Sequence, residues 1–185
     1  MPFFPRQMSG DEMPDMSAFF EAYTWFGPIM ILMALVIFGW MWVVGTSLQE
    51  KLPPFVQFNF KRFNWFIGIP FVYLIIISLG MSWLFAAYIP GIMESRSDIA
   101  AMGGLFLILF FIVPLHLFSI FGIFWSMVFT ARVIKSVELQ RKARFEDAVA
   151  EFFLIWFFLI GVWILQPKIN RIFSGEVVFK INENA

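Results

Sequence analysis

Long stretches without a single charge alternate with short polar segments along this chain. Residues 22–49, 63–93 and 99–131 carry no Asp, Glu, Lys or Arg, and neither do residues 152–167. A spanning helix needs about 20 mostly apolar residues, so the first three runs suffice with turns to spare. The pattern predicts helices over residues 22–49, 63–93, 99–139 and 146–167. Pro28 is expected in the first turn of the first helix, where its missing N–H costs little. Pro53 and Pro54 stop that helix, Pro70 is placed to kink the second, and Pro90–Gly91 ends it. The third helix is expected to outrun the bilayer, because Val133, Ile134 and Val137 continue an apolar stripe while Arg132, Lys135 and Glu138 face water. A turn near residues 140–144 follows, and Glu146 and Asp147 then sit where acids favour a helix start. The fourth apolar core is the odd one. Its 16 residues, 152–167, would rise roughly 24 Å against a hydrocarbon thickness of about 30 Å. Glu151 is therefore expected just inside the membrane edge, snorkelling or thinning the bilayer locally.

The fold class that follows is all-α: a polytopic membrane protein built as an antiparallel bundle of four transmembrane helices. An acidic, proline-containing tail (1–21) precedes a transmembrane domain (22–173), and a short tail (174–185) with a strand-like Val177–Phe179 follows. Composition strengthens this reading. Hydrophobic residues make up 61% of the 185 positions and charged residues 14%, and the mean hydropathy is +0.82. Soluble domains hold roughly 45–50% apolar and about 25% charged residues. The 27 phenylalanines and 8 tryptophans suit lipid-facing and interfacial surfaces. The absence of cysteine excludes disulfides, thiolate nucleophiles and cysteine-ligated metals. The N-terminal tail lacks a basic n-region and the first apolar run is too long for an h-region, so that run is expected to be an uncleaved membrane helix.

Net charge is zero, but position matters more than the sum. Lys51, Lys61, Arg62, Arg132, Lys135, Arg141, Lys142 and Arg144 fall on the two loops expected to share one side, whereas Arg6, Arg96, Lys168, Arg171 and Lys180 fall on the other. The bias of basic residues toward the cytoplasm then predicts both termini outside, which in a bacterial inner membrane means periplasmic. Phe55, Phe58, Phe60 and Trp65 interleave with Lys61 and Arg62. Such a pattern can bind single-stranded nucleic acid, but between two membrane helices it reads as headgroup-level anchoring, with the bilayer as the partner and no nucleic acid.

Chemistry-bearing residues are sparse. Counting depth from the basic loops at 1.5 Å per residue places His116, the sole histidine, level with Ser78 on the second helix. Ser82 and Gln166 lie within a turn of that level. These four form the candidate polar cluster, since an ionisable or amide group at depth needs a partner that lipid does not offer. A histidine satisfied by a serine, a glutamine or a carbonyl freed below Pro114 outweighs a ligand or relay, because no chain of titratable groups surrounds it. Glu151 is expected to form a membrane-edge pair with Arg132 or Lys135, or else with Lys61 or Arg62. Arg141, Lys142 and Arg144 form a basic hairpin suited to anionic lipid or to a soluble partner. No Gly-rich phosphate loop, HExxH or GxSxG motif is present, so the chain is not expected to be an enzyme, and no cofactor is expected.

The segments Pro114-Leu-His-Leu-Phe118, Lys135-Ser-Val-Glu-Leu-Gln140, Glu151-Phe-Phe-Leu-Ile-Trp-Phe157, Gly161-Val-Trp163 and Gln166-Pro-Lys-Ile-Asn170 resemble a family of small multi-pass bacterial membrane proteins of uncharacterised activity. The resemblance covers about a third of the chain. It implies a bacterial integral membrane protein and adds no catalytic residue. The expected function is that of a non-enzymatic subunit or scaffold of a membrane complex, working with other membrane subunits or with a cytoplasmic partner at the basic hairpin. A small oligomeric channel or transporter is the alternative, and a redox cofactor carrier centred on His116 is a third reading.

Overall fold

The computed structural model describes the backbone of residues 17–84 and 99–175 and the side chains of 25–84 and 110–175. The expectations for the tail before residue 17, the Pro90–Gly91 stop, the loop at 94–98 and the strand-like Val177–Phe179 lie outside the described residues. Within them every regular element is helical: α1 (Ser17–Ser47), α2 (Phe60–Trp83), α3 (Ile99–Leu139), α4 (Val149–Trp156) and α5 (Phe158–Ser174). Short 3-10 turns stand at Leu48–Lys51 and Glu146–Ala148. Among the described residues three stretches are long and apolar enough to cross a membrane: Trp25–Lys51, Phe60–Trp83 and Phe110–Leu139. Only 28, 22 and 17% of their apolar windows is buried, so most of each helix's surface is suited to hydrocarbon rather than to protein.

Because α1 begins at Ser17, Pro28 lies inside the helix and not in its first turn. Beside it, the Gly27 N–H donates to Ser82 Oγ at 3.0 Å, so α2 takes up a donor next to the proline. The α1–α2 connection is short. Pro53 and Pro54 interrupt it, and the Asn59 side chain caps α2 by accepting from the Arg62 N–H at 2.9 Å. Close approach sets the register of α2 on α3. A Cβ on Gly122 would stand 2.7 Å from Pro70 Cγ and 3.0 Å from the Phe66 carbonyl oxygen. One end of this contact is closed by the Phe63 ring, stacked on Phe129 at 4.5 Å. The core sits at that end, where Met41, Leu48, Phe63, Ile134, Ile155 and Leu165 are fully enclosed.

The fourth predicted span is the main correction. Residues 146–167 do not form one helix. The chain breaks at Phe157 (φ −89°, ψ 53°) and doubles back. Lys168 Nζ lies 2.6 Å from Glu151 Oε1 although 17 residues separate them, a distance of roughly 25 Å in a straight helix. Gly161 allows the reversal: a Cβ there would collide with the Leu154 carbonyl oxygen. The physical reason lies in the length. The run is too short to cross, and its two halves bury more by folding onto α3 and α1. Phe152 and Ile155 on α4, and Leu165, Ile169 and Ile172 on α5, join the same core. The stripe Gly161, Leu165, Ile169, Ile172 repeats at helical spacing.

Trp156 meets Phe124 at 4.6 Å and Phe158 meets Trp40 at 5.5 Å. Both partners lie about two turns, or ~10 Å, inside the bundle from its charged end. α5 then returns until Phe173 lies under Lys51 Nζ, 5.7 Å from the ring centroid, and it closes with Gly175 in the left-handed region (φ 83°). The chain at Gly175 therefore stands at the same end as the two basic loops. The two termini themselves lie outside the described residues.

Candidate functional site

The three spans and the helical hairpin gather every charged side chain among the described residues at one end. The first loop and the start of α2 bring Lys51, Lys61 and Arg62. The end of α3 and the following loop bring Arg132, Lys135, Arg141, Lys142 and Arg144, and α5 adds Lys168 and Arg171. Against these ten stand five acids, Glu50, Glu138, Glu146, Asp147 and Glu151. The face carries a clear positive excess.

At its centre is a four-charge cluster. Glu151 is 3% exposed, and its Oε1 receives Lys168 at 2.6 Å and Lys135 at 3.5 Å. Glu138 Oε2 lies 2.8 Å from both Lys135 and Lys168. Two acids and two bases thus balance across three helices. Burial of an ion pair is tolerated only when geometry and partners are good, and here one oxygen, Glu151 Oε2, is enclosed with no hydrogen-bond partner among the described residues. Of the expected edge pair, Lys135 does meet Glu151. Arg132 turns elsewhere: its Nε donates to the Ala143 carbonyl at 3.0 Å, and its guanidinium lies over the Phe58 ring at 5.6 Å. Glu138 and Lys168 were missed as members. The Lys135–Glu138 spacing was a visible signal, whereas Lys168 could join only through the reversal at Phe157.

The basic hairpin is a built loop. α3 ends with Gln140 in the left-handed region (φ 49°), its amide donating back to the Val137 carbonyl at 2.7 Å. The fully buried Ala143 is held by both backbone groups. Its N–H donates to Ser136 Oγ at 2.9 Å, and its carbonyl accepts from Arg132. Ser136 in turn donates to the Arg132 carbonyl at 2.6 Å. Arg141 grips Asp147 in a two-point contact at 3.0 and 2.9 Å, and the Arg144 N–H adds a third bond at 2.9 Å. The Arg141 guanidinium, helped by that N–H, holds the Asp147 carboxyl below the usual carboxylate range. Lys142 Nζ also lies over the Phe58 ring, 5.7 Å from its centroid. So Arg141 is committed to the loop's own structure, while Lys142 and Arg144 remain on the exposed surface.

The expected polar cluster does not assemble. His116 Nδ1 shares a hydrogen bond with Tyr73 Oη at 3.0 Å, ring against ring at 64°. Ser82 receives Gly27, and Ser78 is buried with its carbonyl beneath Gly27. Gln166 lies beside Trp40 on α1, its Oε1 accepting from Trp40 Nε1 at 3.0 Å and its amide donating to Asn170 at 3.2 Å. The depth count assumed a crossing fourth helix, and the hairpin carries Gln166 back. The Phe63–Phe129 and Pro70–Gly122 contacts also shift α2 against α3, so that Tyr73 and not Ser78 reaches His116. Among the described residues no group of three or more His, Asp or Glu stands close enough to hold a metal ion. The comparisons with known proteins yield no match: no family model, curated protein or solved structure matches this chain.

Proposed function

We propose that this protein is a non-enzymatic membrane subunit that docks a partner through the positively charged face described above, in the inner membrane of a bacterium with that face toward the cytoplasm. One observation carries the reading: every charged side chain among the described residues lies at one end of the bundle, where the 140–148 loop is held from both sides by Ser136, Arg132 and Asp147. A pre-formed surface loses little ordering entropy on binding, and its net positive charge favours an anionic partner surface over a cationic one. The excess of Lys and Arg there supports the cytoplasmic orientation, and the return of α5 adds Lys168 and Arg171 to that side.

The test is co-purification from native membranes under mild detergent. One partner at a fixed ratio is expected with the unmodified chain and not with a Lys142→Glu, Arg144→Glu double variant, while Arg62→Glu on the first loop reduces recovery less. A partner recovered equally with all three overturns the assignment. Ion conductance by the purified protein in planar bilayers would favour the channel alternative. A haem absorbance band in purified protein would favour a cofactor carrier at His116.

A further inference from the structure

The outer face of the α1–α2 pair holds a groove that the described residues leave open. A cavity of about 320 Å³ lies between Leu35, Gly39 and Trp42 on α1 and Asn64, Gly68 and Phe71 on α2. It shares Asn64 and Gly68 with a neighbouring cavity of about 580 Å³ that opens toward Lys61 and Trp65. Glycines in a membrane helix ordinarily allow a neighbouring helix to come close. Gly45 and Gly122 do so, since a Cβ at either would strike Phe63 or Pro70. Gly39 and Gly68 differ: a Cβ built on either meets nothing within 4 Å. Glycine weakens a helix relative to alanine, and at these two positions no contact among the described residues explains its presence.

Polarity along the groove is ordered. Lys61 stands in the first turn of α2, at the charged end of the bundle, and has no ion pair among the described residues. Asn64 follows about one turn deeper, and its side chain has no hydrogen bond among the described residues. The two glycines lie at matched depths, each eight residues from its helix end and so about 12 Å in. Leu35 and Phe71 lie beyond them. Cation, amide, smooth apolar floor is the vertical order of a phospholipid's phosphate, ester region and acyl chain. A second copy of this chain would instead have to lay an apolar helix across Lys61 and Asn64.

We propose that this groove holds one anionic glycerophospholipid of the leaflet on the charged side. An acyl chain runs over Gly39 and Gly68, the ester region lies beside Asn64, and the headgroup phosphate pairs with Lys61. The positive excess of the whole face selects an anionic headgroup over a neutral one.

Native mass spectrometry of the full chain in detergent, with added phosphatidylglycerol or with diacylglycerol bearing the same acyl chains, tests the site. The unmodified protein is expected to retain one phosphatidylglycerol per chain and to discriminate against diacylglycerol. Lys61→Gln should weaken phosphatidylglycerol binding by about fivefold, the effect of one lysine near an anionic headgroup, and leave diacylglycerol unchanged. Gly39→Leu and Gly68→Leu, made separately so that either suffices if the other misfolds, should abolish both while circular dichroism stays that of the parent. Retention of lipid by both glycine variants overturns the proposal, as does an unmodified protein that binds no stoichiometric lipid. A dimer that the glycine variants split would also overturn it, assigning the groove to a second copy.

Discussion

At the scale of single residues, the charged end is held by contacts whose loss has calculable consequences. Asp147 closes the 140–148 loop by accepting from Arg141 and from the Arg144 N–H. Its carboxyl is held below the ordinary carboxylate range by the Arg141 contact first and the Arg144 N–H second. The folded form therefore favours the ionised carboxylate. The contribution of the clasp is fully present above the unfolded carboxyl's pKa, about 3.9, and is lost as pH falls through the lower folded value. Protection of the Arg144 amide against hydrogen exchange, corrected for its intrinsic rate, should be flat from pH 8 to pH 5 and fall only below about pH 4. Asp147→Asn should open the loop at neutral pH, and faster tryptic cleavage after Arg141, Lys142 or Arg144 would report it. Glu151 is a harsher case because it is buried. Glu151→Ala leaves Lys135 and Lys168 sharing Glu138 alone, and breaking one side of a buried pair costs about 3 kcal/mol or more. Unfolding in micelles should show that loss, against less than about 0.5 kcal/mol for an exposed control such as Arg62→Ala.

At the scale of elements, α1, α2 and α3 were legible because long charge-free runs permit little else in lipid. Their caps and register were less so. Pro28 reads as a first-turn proline because Glu21 marks the end of the charged tail, yet α1 starts at Ser17. The partner of His116 depended on how α2 slides against α3, which the packing of Gly122 on Pro70 decides and no periodicity encodes. The α4–α5 hairpin was visible only as a deficit of length. Whether a 16-residue run thins the bilayer or turns back depends on tertiary partners: the room beneath Gly161, and Lys168 reaching Glu151. Gly161 is therefore the position at which the element can be broken. Gly161→Ala places a Cβ where the Leu154 carbonyl oxygen stands, so the turn must open. Hydrogen-exchange protection at Ile169 and Ile172, both buried in the parent, should collapse while that of α3 around Phe129–Val133 persists. Unchanged protection in α5 would show that the turn absorbs the methyl group and that Gly161 is not what closes the hairpin.

At the scale of the whole molecule, the hairpin changes what the two sides of the protein are. A fourth crossing helix would have sent Lys168 and Arg171 to the side opposite the loops, dividing the basic residues. A hairpin returns them, and Gly175 with them, to the side of Lys51 and Glu138. Electrostatics and packing then agree: the buried core, the ion-pair cluster and the positive excess all lie at one end. A single measurement separates the two topologies. The chain has no cysteine, so one can be introduced at Gln57, Gln140 or Ser174, all exposed or half-buried positions at the charged end, without a competing thiol. Labelling in sealed, oriented vesicles with a membrane-impermeant maleimide should modify all three from the same side, the inner side if the orientation proposed above is right. Reaction of Ser174→Cys from the side opposite Gln57→Cys and Gln140→Cys would mean that residues 149–174 cross the membrane after all. The Glu151–Lys168 contact could not then exist in the bilayer, because a straight helix holds those side chains about 25 Å apart.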